Sequence, residues 1–141
     1  MKERVRAIII QAGKVLLIKR VKTEETYWVL PGGGVETGES HDDAIKRECK
    51  EELGLNVHVN SLFLKKLSKK PETKGQVEIF YFCEIAGGKL GTGQGPEFQR
   101  DTHYVGRYEP QWVNLSQIAN INFKPYDVRD LLAKNLLPDV L

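Results

Sequence analysis

The sequence predicts an α+β fold in which helices pack on a mixed sheet, and two observations carry that reading. Short runs rich in β-branched and aromatic residues, punctuated by glycine turns, fill the first two-thirds of the chain. Helical patterning is confined to a stretch after Ser40 and to two shorter ones near the C-terminus. In order, residues 5–10 (VRAIII) and 15–20 (VLLIKR) flank Gly13 and Lys14 and read as a hairpin. A polar loop leads to the short apolar piece Tyr27, Trp28, Val29 and Leu30, which stops at Pro31. Gly32, Gly33 and Gly34 then read as a loop whose backbone can approach a ligand closely. Ser40 can cap a helix, with Asp43 in the capping-box position and Asp42 and Asp43 suited to the positive helix end. That helix should run to about Leu53 and stop at Gly54. Residues 55–59 alternate as a strand that extends to Leu67, and residues 76–85 form the strongest strand of the chain, so an antiparallel pair is expected there. From Gly87 to Pro110, glycines and polar residues predict a long connection without regular structure, of the kind that is usually functional or mobile. Strand-like residues 111–114, a short helix near 115–119 and a C-terminal helix near 125–135 complete the chain.

The 141 residues, 40% of them hydrophobic, suit one domain spanning 1–141 with a core that needs no disulfide or structural metal. Lys and Arg number 21 against 19 Asp and Glu, a net charge of 21 − 19 = +2. With no long basic stripe, a nucleic-acid polymer is disfavoured as an electrostatic partner, whereas a small phosphorylated ligand is not. The longest apolar runs, at 7–10 and 15–18, fall far short of the roughly 20 residues that span a bilayer, so no membrane partner is expected. No cleavable leader is evident. Cys49 and Cys83 form no CxxC pair and fit buried thiols in a reducing cytoplasm.

The chemistry is concentrated after the glycines. On a helix at about 100° per residue, Glu48, Glu51 and Glu52 fall within roughly a 100° arc. Ile45, Cys49 and Leu53 form the adjacent apolar stripe, so the acidic row lies at the edge of the core. Three like charges there call for positive compensation. Arg47, four residues before Glu51, is one source, and a divalent cation is the natural second. Oxygen ligands without a His or Cys cluster favour Mg²⁺ or Mn²⁺ over zinc. The glycine-rich segment supplies backbone carbonyls for the ion and room for a phosphate chain, and Glu39 can reach back to the same place.

Residues 33–55 resemble the Nudix box: Gly, five residues, Glu, seven residues, Arg-Glu, an aliphatic, any residue, Glu-Glu, any residue, Gly, an aliphatic. The positions here are Gly33, Glu39, Arg47, Glu48, Cys49, Glu51, Glu52, Gly54 and Leu55, and the one departure is Cys49 in place of a bulkier aliphatic. The flanks WVLPGG (28–33) and EPQWV (109–113) also look like those of the family. The resemblance implies an α/β/α sandwich and Mg²⁺-dependent hydrolysis of a nucleoside diphosphate linked to another group. It implies that Glu48 and Glu52 bind metal, that Glu51 binds or positions it, that Arg47 orients Glu51, and that a Gly32 or Gly33 carbonyl completes the shell. A carboxylate outside the box often serves as base in this family, and Glu97 and Glu109 are the candidates. Gly32, Gly33, Gly34, Glu39, Arg100 and Tyr104 are expected to meet the substrate, with Arg107 and Tyr108 as further loop contacts.

The expected activity is cleavage of a pyrophosphate bond in a nucleoside triphosphate or nucleotide sugar, releasing a nucleoside monophosphate. The alternatives are an ADP-ribose hydrolase, whose pattern the placement of Pro71 resembles although a turn proline between Ser68 and Gly75 is the favoured reading, a dinucleoside polyphosphate hydrolase, and a nucleotide-sensing domain without turnover. Asn120 and Asn122 lie only near the position where the MutT-like subgroup reads its base. Proteins of this kind and size are often homodimers, an assembly the sequence itself does not specify.

Overall fold

The computed structural model describes residues 2–68, 74–93 and 106–136. The order of elements is β1 (Glu3–Gln11), β2 (Lys14–Val21), β3 (Thr26–Val29), β4 (Gly32–Gly34), α1 (His41–Leu53), β5 (Leu55–Leu67), β6 (Val77–Gly88), β7 (Arg107–Asn114), a 3₁₀ helix (Leu115–Asn120) and α2 (Tyr126–Leu136). The strands run β3-β2-β1-β6-β5, with β4 added beside β1 and β7 beside β2. The β1–β6 pairing is parallel and the others are antiparallel, so the sheet is mixed, as predicted.

The consecutive apolar runs of β1 and β2 exist because both faces of the sheet are covered. Val5, Ala7 and Ile9 of β1 and Leu16 and Ile18 of β2 pack under α1, against Ala44, Ile45, Cys49 and Leu53. Ile8, Val15 and Leu17 face the opposite way, toward Ile118, Phe123 and the α2 residues Val128 and Leu132. This is the α/β/α sandwich. No helix among the described residues is long and apolar enough to cross a membrane.

The helix α1 forms as its sequence predicts. Ser40 Oγ accepts from the Asp43 N–H at 3.1 Å, and the Gly54 N–H returns to the Lys50 carbonyl at 3.0 Å. The antiparallel β5–β6 pair is present over nearly its whole length, with extra residues at Asn60 and Phe63 of β5 and at Ala86 of β6.

Three expectations change. The hairpin of β1 and β2 turns at Ala12 and Gly13, but the strands pair only at Ile10–Val15 and Gln11–Lys14. They then diverge, because β1 takes β6 as a partner over Glu3 to Ile9 while β2 pairs with β7 along its full length. The three glycines, expected as a loop, are a short strand against Arg4, Val5 and Arg6 of β1. The connection expected from Gly87 to Pro110 is shorter in its described part: Gly87 and Gly88 end β6, and β7 begins at Arg107. Pro110 is tolerated inside β7 because that strand pairs only with β2 and so lies at an edge. The centre of the connection, 94–105, lies outside the described residues, as does Pro71.

Candidate metal and phosphate site

Burial of the apolar stripe fixes the rotation of α1, and that rotation divides the acidic row. Glu52 is buried at 7% exposure, the Glu48 side chain is 14% exposed, and that of Glu51 is 39% exposed. Glu48 and Glu52, one turn apart, meet the backbone of β4. Glu52 Oε1 accepts the Gly32 N–H at 2.7 Å. Glu48 lies so close to Gly33 that a Cβ there would sit 2.5 Å from its Oε1. Gly32 has φ of 148°, and a Cβ on it would run into the Val5 carbonyl of β1. The glycines therefore admit β4 between β1 and the two carboxylates.

Arg47 connects the segments that meet here. Its Nε donates to Glu39 Oε2 at 2.7 Å and its Nη2 to Glu39 Oε1 at 3.0 Å, a bidentate pair. Nη2 also donates to the Gly34 carbonyl at 2.9 Å, and Nη1 to Glu48 Oε1 at 3.0 Å. The expected contact with Glu51 is present but longer, at 3.5 Å. Glu39, expected beside the substrate, is turned toward Arg47 and also accepts the Glu36 N–H at 3.0 Å. The hydrogen-bonded guanidinium holds the Glu39 carboxyl below its ordinary range, and Glu39 in turn raises the pKa of Arg47.

A cavity of about 260 Å³ opens beside the carboxylates. Glu48, Glu52 and the three glycines line it from α1 and β4, together with Arg4 and Arg6 of β1, Arg20 of β2, Tyr27 of β3 and Tyr108 of β7. Tyr27 and Tyr108 both stand opposite Arg20 in the strand register, so a tyrosine, an arginine and a tyrosine cross three strands in a row. The Arg20 guanidinium lies 3.6 Å from the centre of the Tyr108 ring and 5.8 Å from that of Tyr27. Burial lowers the pKa of Arg4, with neighbouring Arg6 adding to the effect and Glu78, Glu48 and Glu52 opposing it.

No set of three or more His, Cys, Asp and Glu side chains converges as a ready metal cage among the described residues. What the site offers is two carboxylates, Glu48 and Glu52, and the backbone of β4. Two carboxylates suit a hard cation such as Mg²⁺, which keeps waters and takes further oxygens from a phosphate. Among the described residues that line the cavity there is no His or Cys of the kind zinc takes, and Cys49 is buried in the core, where desolvation pushes its thiol well above the ordinary range.

Glu109 is not brought to this cluster. Tyr108 lines the cavity, and successive residues of a strand point to opposite faces, so Glu109 faces away. It pairs instead with Arg107 at 3.6 Å. Glu97, Arg100 and Tyr104 lie outside the described residues. Arg4, Arg6, Arg20 and Tyr27 were not foreseen. Their only local sign is charge at alternating positions of apolar strands, and the strand register that joins them is set by pairing across the sheet.

The NUDIX domain profile matches residues 1–133. Over 88 residues the chain is 40% identical to an ADP-ribose pyrophosphatase of Methanocaldococcus jannaschii, covering 61% of this chain and 52% of that protein. It thus spans about half the length of that relative. An RNA pyrophosphohydrolase of Orientia tsutsugamushi is 25% identical over 126 residues, covering 80% of this chain and 74% of the relative. The fold matches the crystal structure of a MutT NUDIX hydrolase from Burkholderia pseudomallei with a TM-score of 0.71 and 23% identity, over 96% of this chain and 98% of the other.

Proposed function

The chain belongs to the NUDIX domain family, and from that premise we propose that it hydrolyses a pyrophosphate bond in a nucleoside diphosphate derivative, with Mg²⁺ or Mn²⁺, releasing a nucleoside monophosphate. The observation that carries this reading is the seating of Glu48 and Glu52 against β4 at the edge of a cavity that also holds arginines. The names of the relatives, an ADP-ribose pyrophosphatase and an RNA pyrophosphohydrolase, have the pyrophosphate in common and support the same class of bond.

Glu48 and Glu52 of α1 would hold the cation, with the Gly33 carbonyl of β4 as a further oxygen ligand. When bound, the cation supplies charge neutralisation on the pyrophosphate oxygens. Arg4, Arg6 and Arg20, which also line the cavity, would bind phosphate oxygens of the substrate. Arg47 holds Glu39, β4 and Glu48 in one arrangement, so that the site is formed before substrate arrives. Water attacks phosphorus in line with the leaving phosphate, and a carboxylate takes its proton. Glu51, the least buried of the three helix carboxylates, and Glu97 are the two we propose for that role. The two free, buried thiols support placing the protein in a reducing compartment such as the cytoplasm.

A panel of nucleoside triphosphates, dinucleoside polyphosphates and nucleotide sugars, assayed with Mg²⁺ and with Mn²⁺, tests this proposal. Release of a nucleoside monophosphate that stops on chelation is expected. Nucleotide binding without cleavage across the panel would instead make the protein a sensing module.

A further inference from the structure

The last turn of α1, which carries Glu51 and Glu52, is wrapped on its outer side by residues 89–93, the turn that follows β6. An α-helix leaves its last four carbonyls without partners of its own. Here the Gly91 N–H donates to the Leu53 carbonyl at 3.0 Å, and the Lys89 N–H donates to the Gly54 carbonyl at 3.2 Å. The Lys89 carbonyl in turn accepts the Thr92 hydroxyl at 2.6 Å and the Thr92 N–H at 3.3 Å, which closes the turn on itself. Leu90 packs against the core cluster that contains Leu53 and Leu55, so the turn is anchored at its middle. Gly93 lies directly on the helix end. A Cβ there would run into the Glu51 carbonyl and sit 2.8 Å from the Glu52 carbonyl oxygen. Thr92 approaches Gly54 as closely, since a Cβ on Gly54 would meet the Thr92 hydroxyl.

Glu52 is therefore held at both ends. Its carboxylate accepts the Gly32 N–H of β4 at 2.7 Å, and its main chain rests on Gly93. We propose that Thr92 and Gly93 are positioning residues for the cation site, acting through the main chain of Glu52 to set where its carboxylate stands relative to Glu48 and β4. The inference rests on the reading that Glu48 and Glu52 hold the cation, and it adds the element that aligns them. Magnitudes support it. A methyl at residue 93 meets backbone atoms, so the turn or the helix end must shift by on the order of 0.5 Å to reach ordinary contact distance. Metal–oxygen distances tolerate only about 0.2 Å. Glu52 is buried, so its side chain has little room to make up the difference.

The test is Mn²⁺ binding to the nucleotide-free protein, read from the electron paramagnetic resonance signal of the free ion, with thermal melting and turnover measured alongside. Gly93→Ala places a methyl against the helix end, while Thr92→Val removes the hydroxyl and Thr92→Ser keeps it. Glu52→Gln reports on the ligand itself, and Val128→Ala lowers stability from the opposite face of the sheet. Gly93→Ala is expected to weaken Mn²⁺ binding about tenfold, the scale on which groups that orient a metal ligand act. Thr92→Val should weaken it in the same direction and Thr92→Ser should recover it. Val128→Ala should lower the melting temperature and leave Mn²⁺ binding unchanged. In turnover, Gly93→Ala should lose kcat at limiting Mg²⁺ and regain part of it at high Mg²⁺. Wild-type Mn²⁺ affinity in folded Gly93→Ala, or in Thr92→Val should the first variant not fold, would overturn the proposal. Equal weakening by Val128→Ala for an equal fall in melting temperature would overturn it too. Weakening by Glu52→Gln without weakening by the turn variants sinks the positioning role alone, whereas wild-type Mn²⁺ binding by Glu52→Gln sinks the cation site and the positioning role with it. The expected Mn²⁺ pattern with no cleavage of any nucleotide sinks the hydrolase reading and leaves the positioning role standing.

Discussion

A guanidinium that donates to both oxygens of Glu39, to the Gly34 carbonyl and to Glu48 uses the planar fork of its side chain in full, and an ammonium cannot reproduce that geometry. Arg47→Lys is therefore expected to lower stability by about 1–3 kcal/mol, the worth of one or two charge-assisted hydrogen bonds, read as a fall in melting temperature. The pH dependence follows from Glu39. Its folded pKa lies below the unfolded value, so its contribution is present above about pH 4.3 and is lost as the pH falls through the lower folded value. The melting-temperature gap between wild type and Glu39→Gln should be steady above about pH 5 and shrink in acid. A gap that widens in acid would show that Arg47 does not hold Glu39 in this way. The helix spacing placed Arg47 beside Glu51, but the pairing with Glu39 depends on how the chain before the helix turns back. That turn is a backbone path that side-chain spacing does not encode.

At the scale of an element, β4 is where local sequence and structure part most clearly. Three glycines have little strand propensity, and they pair with β1 because the absence of side chains lets them fit between β1 and the helix carboxylates. The two glycines that matter most should fail differently. At Gly32 a Cβ meets backbone, so Gly32→Ala is expected to destabilise the fold, seen as a lowered melting temperature. At Gly33 a Cβ meets the end of the Glu48 side chain, which can move, so Gly33→Ala should fold with a melting temperature closer to wild type and lose activity. Equal melting temperatures with equal activities would contradict this account of β4. The strand β7 departs from its sequence for a related reason. Arg107 to Pro110 lack an apolar alternation, and their strand conformation comes from pairing with β2. By contrast α1 was legible throughout, since its cap, its apolar stripe and its stop are all local signals.

Across the whole molecule, the near-neutral net charge conceals a segregation of charge. Glu48, Glu51 and Glu52 gather on one helix beside Glu39, while Arg4, Arg6 and Arg20 come from two strands of the sheet to the same cavity. The acidic half of this arrangement was readable because it lies within one helix and its approach. The basic half was not, because residues far apart in the chain meet only through the order and register of β1, β2, β3 and β7. The same topology explains why Glu109 appeared a candidate and is not near the carboxylates: its strand was readable in part, but its face was not. The most direct measurement is steady-state turnover of the best nucleotide substrate across a Mg²⁺ titration by wild type and Glu52→Gln. The substitution keeps an oxygen able to accept the Gly32 N–H and replaces the charged carboxylate by a neutral amide of the same size. Folding close to that of the wild type with turnover reduced on the order of 10²-fold or more is the expected result. Wild-type turnover by Glu52→Gln at every Mg²⁺ concentration would contradict the placing of the cation on Glu48 and Glu52.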